Sequence, residues 1–249
     1  ALCLLTDITE VTELREQVAL KRNLESLGEM SAGLAHEFKN AIATLHGYAQ
    51  LLQNLNLDER GQNAASSLLN EVRNLSDMVT AFLNFARPQP LQMEDVALSD
   101  LMQECLAELK TLYKDRRIEL IVATETSSLP HVRADERMLR QAVLNLLRNA
   151  AEAIPDDNTE RTVTVRGLSE VDREGDKWAS IEIEDSGKGI PQSDLQRIFI
   201  PFFTTKEKGH GIGLALAHRV ITEHGGTLTA SNRTPSGATF TIRLPVASS

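Results

Sequence analysis

His36 and Glu37 are adjacent, and Asn40 follows one helical turn after the histidine. An imidazole can attack a phosphoryl group with one ring nitrogen while the other carries a proton, and a neighbouring carboxylate can hold that proton. An amide at the fourth position on can orient a water or a phosphoryl oxygen. Further along, Asn145 and Asn149 share one helix face in the company of Leu144, Leu146, Leu147 and Ala150. Amides among apolar side chains need polar partners. A hydrated Mg²⁺ with its triphosphate would supply them. Asp185 ends an alternating run and precedes Ser186-Gly187-Lys188-Gly189-Ile190. A carboxylate there can accept a hydrogen bond from an exocyclic amine such as that of adenine, and the glycines let the backbone turn tightly round a ligand. Gly209, Gly211 and Gly213 lead into a helix whose free N–H groups and dipole suit a phosphate. Between the two glycine runs, Phe199–Lys206 reads as a mobile lid, anchored by aromatics, with Thr204, Thr205 and Lys206 in reach of phosphates.

Each motif alone has an ordinary explanation. A single exposed histidine is most simply a solvated surface residue, and a single glycine run serves equally as a plain turn or a binding loop. Together and in this order they describe phosphoryl transfer from ATP to His36. The glycine spacing fits neither a Walker loop nor a dinucleotide fingerprint. His46 has no adjacent carboxylate and reads as structural or incidental. His131, His210, His218 and His224 lack ligand spacing, so no transition-metal site is expected.

The histidine must be carried by a long helix. Val11, Leu14 and Val18 begin the pattern; Leu20, Leu24, Leu27, Ser31, Leu34, Phe38, Ala41, Leu45, Tyr48 and Leu52 continue it in strict four-three alternation, one residue out of phase. A helix from Thr9 to Gln53 would be roughly 65 Å long. His36 lies two residues from both Leu34 and Phe38, about 200° round the helix, so it faces away from the seam. Asn54–Asp58 breaks the pattern. A second seam, Leu68, Val72, Leu75, Val79, Phe82 and Ala86, ends at Arg87-Pro88-Gln89-Pro90. Two such helices carry more apolar stripe than a hairpin can hide, which predicts a dimeric four-helix bundle.

Beyond Pro90 the period changes. The reading is a short strand at Val96–Leu98, a helix capped by Ser99 through Lys114, and strands at Ile118–Ala123 and His131–Arg133. Asp135 caps an apolar helix that runs to Ile154. Strands follow at Thr162–Leu168 and Trp178–Glu184, then irregular chain to Gly209. A helix over Gly211–His224 is closed by Gly225-Gly226, and strands at Thr227–Ser231 and Ala238–Leu244 complete a two-layer α/β sandwich.

The 249 residues carry a formal net charge of −9, which argues against nucleic acid as a partner. No apolar run is long enough to span a bilayer, so no membrane contact is expected of this segment, and no signal peptide opens it. Cys3 and Cys105 have no metal-type spacing and read as reduced cytoplasmic thiols. The apolar start and the missing initiator Met suggest a fragment. Leu4-Leu5-Thr6-Asp7-Ile8-Thr9 resembles the last strand and exit of a PAS sensor domain.

These motifs make the chain resemble, over residues 9–249, the catalytic core of a two-component sensor histidine kinase. His36-Glu37-Phe38-Lys39-Asn40 is similar to the H box and Asn145–Ala150 to the N box. Asp185–Ile190 resembles the first glycine box, Phe199–Phe203 the F box, Gly209–Leu214 the second glycine box, and Ser236–Phe240 a last small one. The resemblance implies a Bergerat (GHKL) ATP-binding fold tethered to the dimeric helical bundle. It divides the chain into the end of a sensor (1–8), a coiled-coil signalling helix (9–26), a dimerisation and phosphotransfer domain (27–88) and an ATP-binding domain (89–249). It implies a protein-histidine kinase: His36 is phosphorylated by Mg-ATP, and the group passes to an aspartate of a response regulator receiver domain, with phosphatase activity toward that regulator. Glu37 would be the acid/base partner, Asn40 the dephosphorylating amide, Asn149 the Mg²⁺ ligand supported by Asn145, and Asp185 the adenine anchor. Gly187, Gly189, Thr204, Thr205, Lys206, Gly209, Gly211, Gly213, Leu214 and Thr239 would complete the nucleotide site. Work on ATP places these domains in the cytoplasm and leaves membrane tethering of the whole protein open. Ala41 stands where many members carry proline, so the helix should bend less there. Hydrolytic relatives of the gyrase, Hsp90 and MutL type place a glutamate one turn before the metal-binding asparagine. Here that position is Asn145, which argues against ATP hydrolysis as the main activity.

Overall fold

The computed structural model describes residues 40–55, 57–86, 90–123, 126, 128–172, 175–206, 209 and 211–247, without the side chains of 74, 77, 78 and 80–86. His36, Glu37, the sensor-like start, the signalling helix and the first seam up to Phe38 lie outside the described residues. So do the Arg87–Gln89 stop, His210 and the side chains of Phe82 and Ala86. The chain divides into two compact units, Ala1–Gln89 and Pro90–Ser249.

In the first unit, residues 40–53 form helix α1 and Glu59–Ala86 form α2. Asp58 starts α2 by accepting a hydrogen bond from the Gly61 N–H at 2.9 Å, as an N-cap does. The connection is held by Gln62 Nε2 donating to the Leu55 carbonyl at 2.8 Å. Within one copy, the described hairpin core lies mostly beside the seam read from the sequence. Ile42 and Ala49 on α1 and Ala65, Leu69 and Val72 on α2 are buried. Of the expected seam, among the described residues, Val72 is buried, while Leu45, Tyr48, Leu52, Leu68 and Leu75 remain 40–63% exposed. Ile42 and Ala49 are seven apart, so they keep one phase while the Leu45–Leu52 row runs beside it. Each helix therefore carries two apolar rows, one spent inside the hairpin and one facing out. No described helix is long and apolar enough to cross a membrane.

The second unit is a two-layer sandwich. A five-stranded sheet has the order β2 (Glu119–Val122), β4 (Thr162–Val171), β5 (Lys177–Asp185), β7 (Ala238–Pro245), β6 (Thr227–Asn232). Only the β2–β4 pair is parallel. A separate antiparallel pair joins β1 (Glu94–Ala97) to β3 (His131–Ala134). Strand alternation sends Val163, Val165, Ile181, Ile183, Phe240 and Ile242 into the core. The opposite face stays polar, with Arg166 paired to Glu184 at 2.6 Å.

Helices α3 (Leu98–Asp115), α4 (Glu136–Ala153) and α5 (Gly213–Glu223) form the other layer. Ser99 is not the cap of α3. The cap falls two residues earlier, at Ala97, with no side-chain bond there, and the Ser99 hydroxyl turns to Asp100. Leu98 is completely buried, and seating it in the core outweighs the roughly 1 kcal/mol of a serine cap. Asp135 does cap α4, accepting from the Met138 N–H at 3.0 Å. Burial alone would raise this carboxyl, but N–H donors from Gln92 and Met138 outweigh it and hold the group below its ordinary value. Buried Leu139, Val143, Leu146, Leu147 and Ala150 form the inner stripe of α4. The turn after α5 is a Schellman motif. Gly226 N–H reaches the Ile221 carbonyl, Gly225 N–H reaches that of Thr222, and Gly225 takes φ 74°. His224, buried, has its Nδ1 on the Val220 carbonyl while Nε2 accepts from the Asp135 N–H, tying the end of α5 to the start of α4. Cys105 is buried and its thiol is pushed up to about 11, so it is an inert core residue.

Candidate nucleotide site

A cavity of about 450 Å³ opens where the end of α4, the end of β5, the loops around Gly189 and Lys206, and the start of α5 meet. That is the size range of small-molecule and cofactor pockets. Its lining includes Asn149, Asp185, Gly189, Thr205, Lys206 and Leu214 from the motifs singled out in the sequence.

Asp185 is the last residue of β5 and almost wholly buried. Its Oδ1 accepts from the Gly187 N–H at 2.8 Å and the Ala238 N–H at 3.3 Å. Its Oδ2 is buried with no hydrogen-bond partner. Burial pushes the carboxyl above its ordinary value, partly offset by those two N–H donors. An orphaned buried carboxylate oxygen costs free energy unless a donor from a ligand meets it. Two glycines permit this arrangement. A Cβ at Gly187 would collide with the Ala153 carbonyl, and one at Gly237 (φ 113°) with the Asp185 carbonyl. Asn232 fixes the loop beyond by a reciprocal pair of 2.7 Å bonds to the N–H and carbonyl of Ile190.

Asn149 lies four residues before Ala153, about 6 Å along α4 from the Asp185 end. Its Oδ1 accepts from Lys206 Nζ at 2.8 Å, and the same ammonium meets Glu152 Oε2 at 2.7 Å. Among the described residues no three His, Cys, Asp or Glu side chains gather into a metal site. The residues do fit a cation that arrives with phosphates, since Asn149 brings a hard amide oxygen to the cavity lining. The start of α5 has no side-chain cap, so its first N–H groups are available to an anion beside Leu214.

Within the lid sequence Phe202 takes the strained left-handed φ of 67°, and its N–H donates to the carbonyl of Gly211, itself at φ 66°, at 2.9 Å. Arg197 covers the Phe203 ring at 4.5 Å, and Phe199 meets the His218 ring at 4.9 Å. Burial lowers the affinity of His218 for a proton. The Thr204 hydroxyl accepts from the Lys206 N–H at 3.1 Å and so shapes the turn.

Several motif residues stand behind the cavity. Asn145 Nδ2 donates to the Gly213 carbonyl at 3.4 Å, joining α4 to the start of α5. Thr239 alternates to the opposite sheet face from Ala238 and Phe240, which line the cavity. Gly187, Thr204, Gly209, Gly211 and Gly213 shape the walls without lining them. The sequence reading missed Arg116, Lys188, Glu152 and the Ala153–Asp156 wall. Glu152 was within reach of that reading, being three residues from Asn149 and so on the same face. Asn40, on α1 and exposed, belongs to the other unit, where its carbonyl accepts from the Thr44 hydroxyl at 2.9 Å.

Known proteins resemble this chain in both of its parts. Residues 26–91 match the His Kinase A (phospho-acceptor) domain, and residues 134–248 match the histidine kinase-, DNA gyrase B- and HSP90-like ATPase family. The chain is 35% identical over 248 residues to the signal transduction histidine-protein kinase AtoS of Escherichia coli (strain K12), covering 99% of this chain and 39% of that protein. It is 30% identical over 251 residues to sporulation kinase E of Bacillus subtilis (strain 168), covering 98% and 32%. The chain thus spans half or less of the length of these curated relatives. Among solved structures, full-length ShkA in complex with AMPPNP aligns with TM-score 0.73 at 27% identity, covering 89% of this chain and 46% of that one. Histidine kinase ThkA in complex with response regulator protein TrrA aligns with TM-score 0.65 at 27% identity, covering 97% and 68%.

Proposed function

Since the chain belongs to the sensor histidine kinases, as their phospho-acceptor and ATP-binding core, we propose that it phosphorylates His36 from ATP and passes the group to an aspartate of a response regulator receiver domain. The observation that carries this reading is Asp185. Its Oδ2 is buried without a partner, and the residue lines the same cavity as Asn149 and Lys206. An exocyclic amine of adenine supplies the missing donor. The phosphates then lie toward Asn149, Lys206 and the uncapped start of α5. Asn149 is the ligand for Mg²⁺, which neutralises phosphate charge when bound. Gly187, Gly189, Gly209, Gly211 and Gly213 hold the loops in shape, Thr205 and Leu214 line the phosphate end, and Thr204 sets the Lys206 turn.

At His36 one ring nitrogen forms the new N–P bond as the bond from the γ-phosphorus to the ADP oxygen breaks. Glu37 holds the proton on the other nitrogen, keeping the attacking one nucleophilic. Asn40 orients the water that removes the phosphoryl group from the regulator. ThkA is known in complex with the response regulator TrrA, which supports a receiver domain as the partner. The test is incubation of the chain with Mg²⁺ and either γ- or α-³²P-ATP. Label from the γ position alone is the expected result; a chain that binds ATP yet only releases phosphate to water contradicts the proposal.

The partner of the hairpin is a second copy of it. The outward row Leu45, Tyr48, Leu52, Leu68 and Leu75 is the surface that closes a four-helix bundle. Replacing Leu45 and Leu52 together with glutamate should convert the dimer to monomer in analytical ultracentrifugation at micromolar concentration. An unchanged dimer would place the interface elsewhere.

A further inference from the structure

Lys206 is held by two side chains on one face of α4. Its ammonium donates to Asn149 Oδ1 at 2.8 Å and to Glu152 Oε2 at 2.7 Å, and the lysine and glutamate side chains are 38% and 53% exposed. Asn149 Oδ1 is the oxygen assigned above to the cation. A divalent cation and an ammonium repel each other on one oxygen, so a metal at Asn149 leaves Glu152 as the lysine's remaining anchor on the helix. On the nucleotide reading, the terminal phosphate is the second anion that this ammonium can meet.

We infer that Glu152 is a positioning residue that sets how strongly the site prefers a nucleoside triphosphate to a diphosphate, because its carboxylate competes with the terminal phosphate for the Lys206 ammonium. The inference rests on the nucleotide reading of the cavity. Among the described residues, Lys206 is the group with which Glu152 pairs: the side chain lines the cavity beside Asn149 and makes its ion pair there. Its own negative charge opposes the triphosphate in the same sense. The competition limits the grip on ATP and leaves ADP, which lacks the competing phosphate, almost unaffected. An exposed pair of this kind changes affinity modestly, by about two- to fivefold.

Calorimetric titration of the full chain with AMPPNP or ADP in Mg²⁺, for wild type, Glu152→Gln and Lys206→Met, tests this without turnover. The expected result is AMPPNP binding about two- to fivefold tighter in Glu152→Gln and weaker in Lys206→Met, with ADP affinity little changed by Glu152→Gln. Glu152→Gln binding AMPPNP equally or more weakly than wild type overturns the inference, since the carboxylate would then assist the phosphate contact. An equal gain for ADP overturns it too, because the terminal phosphate would not be what is sensed. A wild type that binds neither nucleotide overturns the nucleotide reading itself, which separates the two failures.

Discussion

Asp185→Asn should weaken ATP binding by roughly 30- to 150-fold, about 2–3 kcal/mol, while raising the melting temperature of the ligand-free protein. The substitution keeps shape and removes charge. In the protein Oδ1 is committed to the Gly187 and Ala238 N–H groups, and Oδ2 is buried without a partner. An asparagine must aim its NH₂ either at those N–H groups or at the adenine amine. Both choices set donor against donor. The stability effect has the opposite sign. Burial raises the folded-state pKa of Asp185 above 3.8. A carboxyl so shifted favours the fold fully below its unfolded value, and that contribution is lost as pH rises through the folded value. At neutral pH the ionised group therefore costs stability, which asparagine restores. The same shift predicts that ATP affinity falls as pH drops through a midpoint above 3.8, and that Asp185→Asn removes this dependence. Titration calorimetry across pH and a thermal melt check both halves. A variant that binds normally and melts lower would remove Asp185 from the adenine contact.

His36→Gln should abolish incorporation of the γ-phosphoryl group, a fall of roughly a thousandfold or more, with ATP affinity within about twofold of wild type. Glutamine keeps the size and polarity of the side chain and lacks the nucleophilic ring nitrogen. The cavity lining runs from Arg116 to Phe240 and lies wholly in the second compact unit, so binding does not depend on residue 36. Glu37→Gln should fall between, because the ring stays in place while the anion that holds its proton is gone. Equal losses of label and of ATP affinity in His36→Gln would point to misfolding instead.

What the sequence disclosed were features written locally. Asp135 and Gly225-Gly226 mark the ends of their helices because a cap and a Schellman turn need only neighbouring residues. The strands follow from two-residue alternation. The Ser99 cap failed because the pull of Leu98 into the core comes from residues distant in sequence. The hairpin showed a second kind of limit. Apolar spacing reveals the Leu45–Leu52 row of α1, but the Ile42–Ala49 row that is buried within the hairpin shows only in the structure.

In the site, Asp185 and Asn149 were legible as chemistry: a carboxylate ending a strand before glycines, and an amide among leucines. The contacts that organise them were not. Lys206 meets Asn149 across 57 positions, and Asn232 fixes Ile190 across 42. Neither pairing has a local signature. Thr239 and Asn145 carry the same motif-level signal as their neighbours; strand alternation turns Thr239 away from the cavity, and Asn145, one turn before Asn149 on the same face, is taken up by the Gly213 carbonyl.

The central claim is that ATP's terminal phosphoryl group ends on His36. Wild type and His36→Gln, incubated side by side with γ-³²P-ATP and Mg²⁺ and then treated with acid or alkali, test it most directly. The account predicts label on the wild type alone, lost in acid and kept in base as a phosphoramidate requires. Label that survives the substitution, or that resists acid, would assign the phosphoryl group to another residue and contradict it.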